Sequence, residues 1–141
     1  HKTSALNGRL EGYIKALEDH RIYHPELVKN IDYSSESEDI EAAVEDLFLG
    51  SGNADAIIFQ SHELFFTGMR FLRAKGIDFR EKISVASFDK TDALALVDFP
   101  LSYVEQPIES IGKEAVNILI NRIKGTPYTI RKVFEGRVLE V

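Results

Sequence analysis

Asp89, Gln106, Tyr33, Ser61 and His62 are the side chains whose types and positions suit chemistry. Each stands at or just past the end of a short apolar run. Asp89 closes ISVASFD, in which Ile83, Val85 and Phe88 are large and Ala86 and Ser87 small. That mixture suits a strand buried on both faces of a parallel sheet. In open α/β sheets, ligands bind in the crevice outside the carboxyl ends of the strands. A carboxylate there can accept several O–H groups of a polyol, or it can cap the turn that follows; both readings stand. Gln106 ends a second extended run, 101–106, where an amide can serve a pocket or cap local backbone. Tyr33 ends the run 27–33 and offers an aromatic face to a sugar ring or a base, or closes the rim of the core. Ser61 and His62 follow the run 54–60. A lone histidine is more often a hydrogen-bonded structural residue than a base or metal ligand.

Catalytic signatures are missing. The sequence has no P-loop, G-x-G-x-x-G, G-x-S-x-G or H-E-x-x-H. It has no cysteine, hence no disulfide, thiolate nucleophile or thiolate zinc site. Of its histidines only His20 and His24 stand at i, i+4, and Pro25 breaks the helix there. No metal, cofactor or enzymatic activity is expected. An α/β enzyme built on Asp89 and His62 would lack an organised nucleophile.

The elements that must position these residues follow from periodicity. Leu6, Leu10, Tyr13, Ile14 and Leu17 recur at helical spacing, with Arg9 off that stripe. Gly8 and Gly12 weaken such a helix by roughly 1 kcal/mol each relative to alanine, which points to close packing or a ligand. A short strand is predicted at 27–33 and a helix at 36–49 with an acidic outer face. A strand at 54–60 and a helix at 63–75 stopped by Gly76 follow. Phe65, Phe66, Met69, Phe71 and Leu72 give that helix more apolar surface than one inward stripe needs. It is therefore either buried on two sides or meets another chain. After the central strand and the run 101–106, a long apolar helix spans 108–124. Segments 129–134 and 137–141 then alternate like strands around a Glu135-Gly136 turn. This order implies an α/β fold, a mostly parallel sheet with helices on both faces.

At 141 residues the chain can bury a real core in one domain. The 44% hydrophobic and 28% charged content is globular, and a net charge of −6 argues against a nucleic-acid footprint in this segment. No apolar run approaches the roughly 20 residues that cross a bilayer, so no membrane partner is expected.

ISVASFD, a gap, and then PLSYVEQPIESIGKEAVNILINRIKG resemble the lac-repressor-type (LacI/GalR) transcription regulators, as does RLEGYIKALEDHRI near the start. The resemblance covers most of the chain in order. It implies a periplasmic-binding-protein-like fold, incomplete here: 1–141 would be the C-terminal part of an effector-binding and dimerisation core. The DNA-binding helix-turn-helix domain would lie outside this chain, so DNA would be met only through it. A strand between 27–33 and 54–60 would also be missing, leaving strand edges for a partner chain to fill. By the same resemblance Asp89 and Arg9 contact the effector, and Tyr33 stacks on it. Gln106 sits at the crossover between lobes. Ser61 and His62 fall where many relatives carry Asn-Asp, so His62 departs from the pattern. The implied protein is a cytoplasmic homodimer, paired partly through helix 63–75, that senses a small molecule, a sugar or sugar derivative. The alternative is a periplasmic solute-binding protein of a sugar transporter, which shares the fold.

Overall fold

The computed structural model describes residues 4–32, 36–50, 53–77, 80, 82–125 and 132–140. Its elements, in order, are α1 (Ser4–Asp19), α2 (Ser37–Phe48), β1 (Ala56–Phe59), α3 (His62–Ala74), β2 (Ser84–Phe88), β3 (Leu101–Glu105), α4 (Ile108–Ile123) and β4 (Arg137–Glu140). Short 3-10 turns occupy Pro25–Leu27 and Asp92–Leu96. The sheet order is β1-β2-β3-β4; the first three strands run parallel and β4 pairs antiparallel to β3. Val85 lies beside Ile57 on one side and Leu101 on the other. Alternation then puts Ile57, Phe59, Val85, Ser87 and Leu101 on one face, all buried.

α3 covers that face. Its start is fixed by Ser61, whose Oγ accepts the Leu64 N–H at 3.3 Å, the ordinary way a serine satisfies a free amide of the first turn. Gly76, at φ +67°, ends it. Phe65 meets Phe59 edge to face with ring centroids 5.8 Å apart. A Cβ added to Gly68 would stand 2.6 Å from Phe59 Cε1 and 3.3 Å from Val44 Cγ2. Glycine is thus what lets α3 wedge between β1 and α2. Of the five apolar residues singled out on this helix, Phe65, Met69, Phe71 and Leu72 are buried. Two-sided burial therefore explains four of them, and Phe66 is half-buried, as is Leu64. On the other face of the sheet, Phe88 carries the Arg9 guanidinium 4.6 Å above its ring, which brings α1 to that side.

Several expectations are corrected. Residues 27–32 form no strand: Leu27 closes a 3-10 turn, Val28 is extended, and no ladder partner is found among the described residues; Tyr33 lies outside them. Between this segment and β1 lies a groove lined by Leu27, Ile31, Leu47, Ala54 and Ile58, and among the described residues β1 is the edge strand on that side. Of the alternation expected over 129–134 and 137–141, the second part forms β4, which pairs with β3, while 132–136 are not strand; 129–131 and 141 lie outside the described residues. A β4–β3 ladder satisfies backbone groups that would otherwise leave β3 as an open edge. Close packing does not explain Gly8 or Gly12, since an added Cβ at either meets nothing within 4 Å. α4 buries no residue. Its half-covered positions are Glu114, Ile118 and Asn121, whereas Ile108, Val116, Leu119 and Ile123 are exposed.

Candidate functional site

Asp89 is the residue at which the cluster is built. It follows β2 with φ +75°, a left-handed backbone that aspartate tolerates better than most side chains. Its own N–H donates to Val104 O at 3.2 Å, which ties the end of β2 to β3. The turn leaves the carboxylate facing two donors. Arg9, from α1, donates from Nη2 to Asp89 Oδ1 at 3.5 Å and from Nη1 to the Gln60 carbonyl at 2.6 Å. Gln106, just past β3, donates from Nε2 to the same Asp89 oxygen. The Arg9 and Asp89 side chains are 17% and 25% exposed, so the group is shielded but reachable. Three strand ends and one helix thus converge at the carboxyl edge of the sheet.

This arrangement presents an acceptor between two donors. A sugar hydroxyl can donate to Asp89 while accepting from Arg9 or Gln106, so adjacent hydroxyls match the pattern. The Phe88 ring lies under the Arg9 guanidinium, and the Gln60 carbonyl fixes its reach. Gln60 and Phe88 were not singled out from the sequence; the usable signal was their place at, or next to, strand ends.

The other sequence-derived candidates sit apart from this cluster or cannot be placed. Ser61 follows Gln60 but spends its hydroxyl on the α3 cap. His62 is exposed in the first turn of α3 and takes no part in the Arg9–Asp89–Gln106 contacts. Tyr33 lies outside the described residues. No group of acidic, histidine or cysteine side chains able to hold a metal occurs among the described residues. No helix there is long and apolar enough to cross a membrane.

Beside the cluster, Glu105 at the end of β3 accepts from Lys90 at 2.8 Å and Arg137 at 2.7 Å. The hydrogen bond from Lys90 is the main reason the Glu105 carboxyl is held below its usual range. The same bond raises the Lys90 ammonium. These pairs pin β4 and the loop after Asp89 to β3.

Residues 1–139 match the family model described as a periplasmic binding protein-like domain. The HTH-type transcriptional regulator CelR of Thermobifida fusca is 30% identical over 133 residues, which cover 93% of this chain and 38% of that protein. A solved transcriptional regulator CelR–cellobiose complex superposes with a TM-score of 0.79 at 28% identity, over 93% of this chain and 40% of that one. A sugar-binding transcriptional regulator of the LacI family from Escherichia coli, solved with phosphate, gives a TM-score of 0.76 at 26% identity, over 93% of this chain and 47% of that one. The chain therefore spans less than half the length of these relatives.

Proposed function

The chain belongs to the periplasmic binding protein-like domain family, and we propose that it forms the C-terminal part of the effector-binding and dimerisation core of a lac-repressor-type transcription regulator. The effector is a sugar or sugar derivative, held by Arg9, Asp89 and Gln106. The observation that carries this reading is their convergence: side chains 80 and 17 residues from Asp89 meet on one carboxylate oxygen at the sheet's carboxyl edge. The likeness to a regulator solved with cellobiose supports the choice of a saccharide. On this reading the regulator works in the cytoplasm as a homodimer paired through α3, and a separate domain reads DNA. The effector acts by binding one of two core conformations more tightly than the other.

The test is isothermal titration of the full-length regulator carrying this chain with cellobiose and a panel of mono- and disaccharides. Asp89→Asn and Arg9→Ala are titrated beside it. A saccharide that binds the parent and loses about tenfold or more in both variants supports the site. A saccharide that binds all three equally places the pocket elsewhere, and silence across the panel refutes a sugar effector.

A further inference from the structure

We infer that Lys90 and Glu105 are positioning residues for Asp89: their ion pair holds the chain in the turn that aims the Asp89 carboxylate at Gln106 and Arg9. Phe88 and Val104 are the last register partners of β2 and β3. One residue further, the same register sets Asp89 beside Glu105, and partners in a parallel ladder share a face. An extended continuation would put two carboxylates side by side, an arrangement that like charges oppose. The chain avoids this by crossing the order of partners. The Asp89 N–H keeps its ladder bond, to Val104 O at 3.2 Å, and the backbone then turns at φ +75°. The Asp89 side chain reaches past Glu105 to accept from Gln106. Lys90 takes the place opposite Glu105, its Nζ donating to Oε1 at 2.8 Å.

A left-handed backbone disfavours any residue with a Cβ, so the turn needs a hold on both sides. Before it stands the β2 ladder. After it, Thr91 caps the next turn, its Oγ1 accepting the Ala93 N–H at 3.1 Å, and Lys90 ties the residue between to β3. Glu105 gives its other oxygen, Oε2, to Arg137 of β4 at 2.7 Å. The Glu105 side chain is 19% exposed, against 55% for Lys90 and 76% for Arg137. It is thus a sheltered acceptor on which two outer cations meet. One of them faces the Asp89 turn and the other faces β4, which makes Arg137 the control for Lys90.

Amide hydrogen exchange in the full-length regulator reads this hold without a ligand. Lys90→Met should speed exchange of the Asp89 amide about threefold, the size expected of an exposed ion pair, and Lys90→Arg should keep the parent rate. Arg137→Gln, which takes the other cation from the same carboxylate, should leave that rate unchanged. Raising salt from about 0.1 M to about 1 M shortens the screening length from about 10 Å to about 3 Å, so the gap between parent and Lys90→Met should close. Equal rates in parent and Lys90→Met, an equal rise in Arg137→Gln, or a gap that survives high salt overturns the ion-pair hold. Titration with cellobiose tests the consequence for the site, which rests on the saccharide reading above. Lys90→Met should weaken binding about threefold at the lower salt and leave it unchanged at the higher. A turn that loosens while cellobiose binds unchanged overturns the positioning role and leaves the saccharide reading standing. If the parent binds neither cellobiose nor any other saccharide of the panel, that reading falls, and the exchange rates still decide the hold on Asp89.

Discussion

Replacing Asp89 separates what its backbone does from what its carboxylate does. Asp89→Ala and Asp89→Gly both delete the acceptor, but only glycine relieves the φ of +75°. The carboxylate accepts one close amide hydrogen bond from Gln106 and one long one from Arg9 at 3.5 Å. A hydrogen bond to a charged group contributes about 1.5–3 kcal/mol. The Arg9 contact contributes less than about 1 kcal/mol, because it is long and Arg9 keeps the Gln60 carbonyl. With the pair 17% and 25% exposed, water replaces part of what is lost, so deletion costs about 2 kcal/mol. Alanine in the left-handed region adds roughly 1 kcal/mol. Urea unfolding should therefore rank the chain as parent, then Asp89→Gly, then Asp89→Ala. At a slope of about 2 kcal/mol per molar, the two variants should differ by about 0.5 M in midpoint. Equal midpoints for glycine and alanine would refute the backbone half of this reasoning. Midpoints within 0.2 M of the parent for both would refute the carboxylate half.

Other perturbations follow from the same structure. Gly68→Ala forces a Cβ against Phe59 and Val44 and should cost about 1–3 kcal/mol by thermal or urea unfolding. Ser61→Ala removes the α3 cap and should cost about 1 kcal/mol, whereas Ser61→Asp should retain most of it. Because the folded Glu105 carboxyl is lowered, its contribution is present above the ordinary glutamate range and fades as pH falls through the lowered value. The raised Lys90 contributes below the ordinary lysine range and fades as pH rises through its raised value. The stability difference between parent and Glu105→Gln should thus be flat from about pH 5 to 10 and shrink outside that window. Tyr13 is held above its usual pKa by burial, with Tyr23 adding to it, so the phenolate absorbance that the folded parent gains over folded Tyr13→Phe should appear at higher pH than that of a free tyrosine, about 10.

The parallel sheet was legible because AIIF and SVASF are short β-rich runs set off by turn residues, although each buries only alternate residues: Ile57 and Phe59 in one, Val85 and Ser87 in the other. The segment 27–32 carries Leu27, Val28 and Ile31, yet a strand is made by its neighbour as much as by its own residues, and no described strand pairs with it. The same limit applies to 129–141: alternation marks an extended segment but cannot say that β4 pairs with β3. Helix 63–75 carried a true excess of apolar residues, and its two-sided burial needed the close approach at Gly68, which a lone glycine does not announce. At the site, strand ends located Asp89 and Gln106. Arg9 came from the family resemblance, because a cation off an apolar stripe looks like any surface charge. Its partner Gln60 acts through a backbone carbonyl, which no side-chain pattern reveals.

The joining of Arg9 to Asp89 across 80 residues also sets an order of assembly. β1, β2 and β3 pair in sequence order through the crossovers 60–83 and 89–100, far shorter than the separation of Arg9 from Asp89, so closing the sheet costs less loop entropy. α1 has no fully buried residue among those whose burial is described, and its polar hold on the sheet depends on strand ends that must already exist. It should therefore open more readily than β2 and α3, which hold the core. Its amides should exchange with solvent deuterium well before those of β2 and α3. Anything that bridges Arg9 and Asp89 would then be read twice, once as occupancy and once as slowed exchange along the whole first helix.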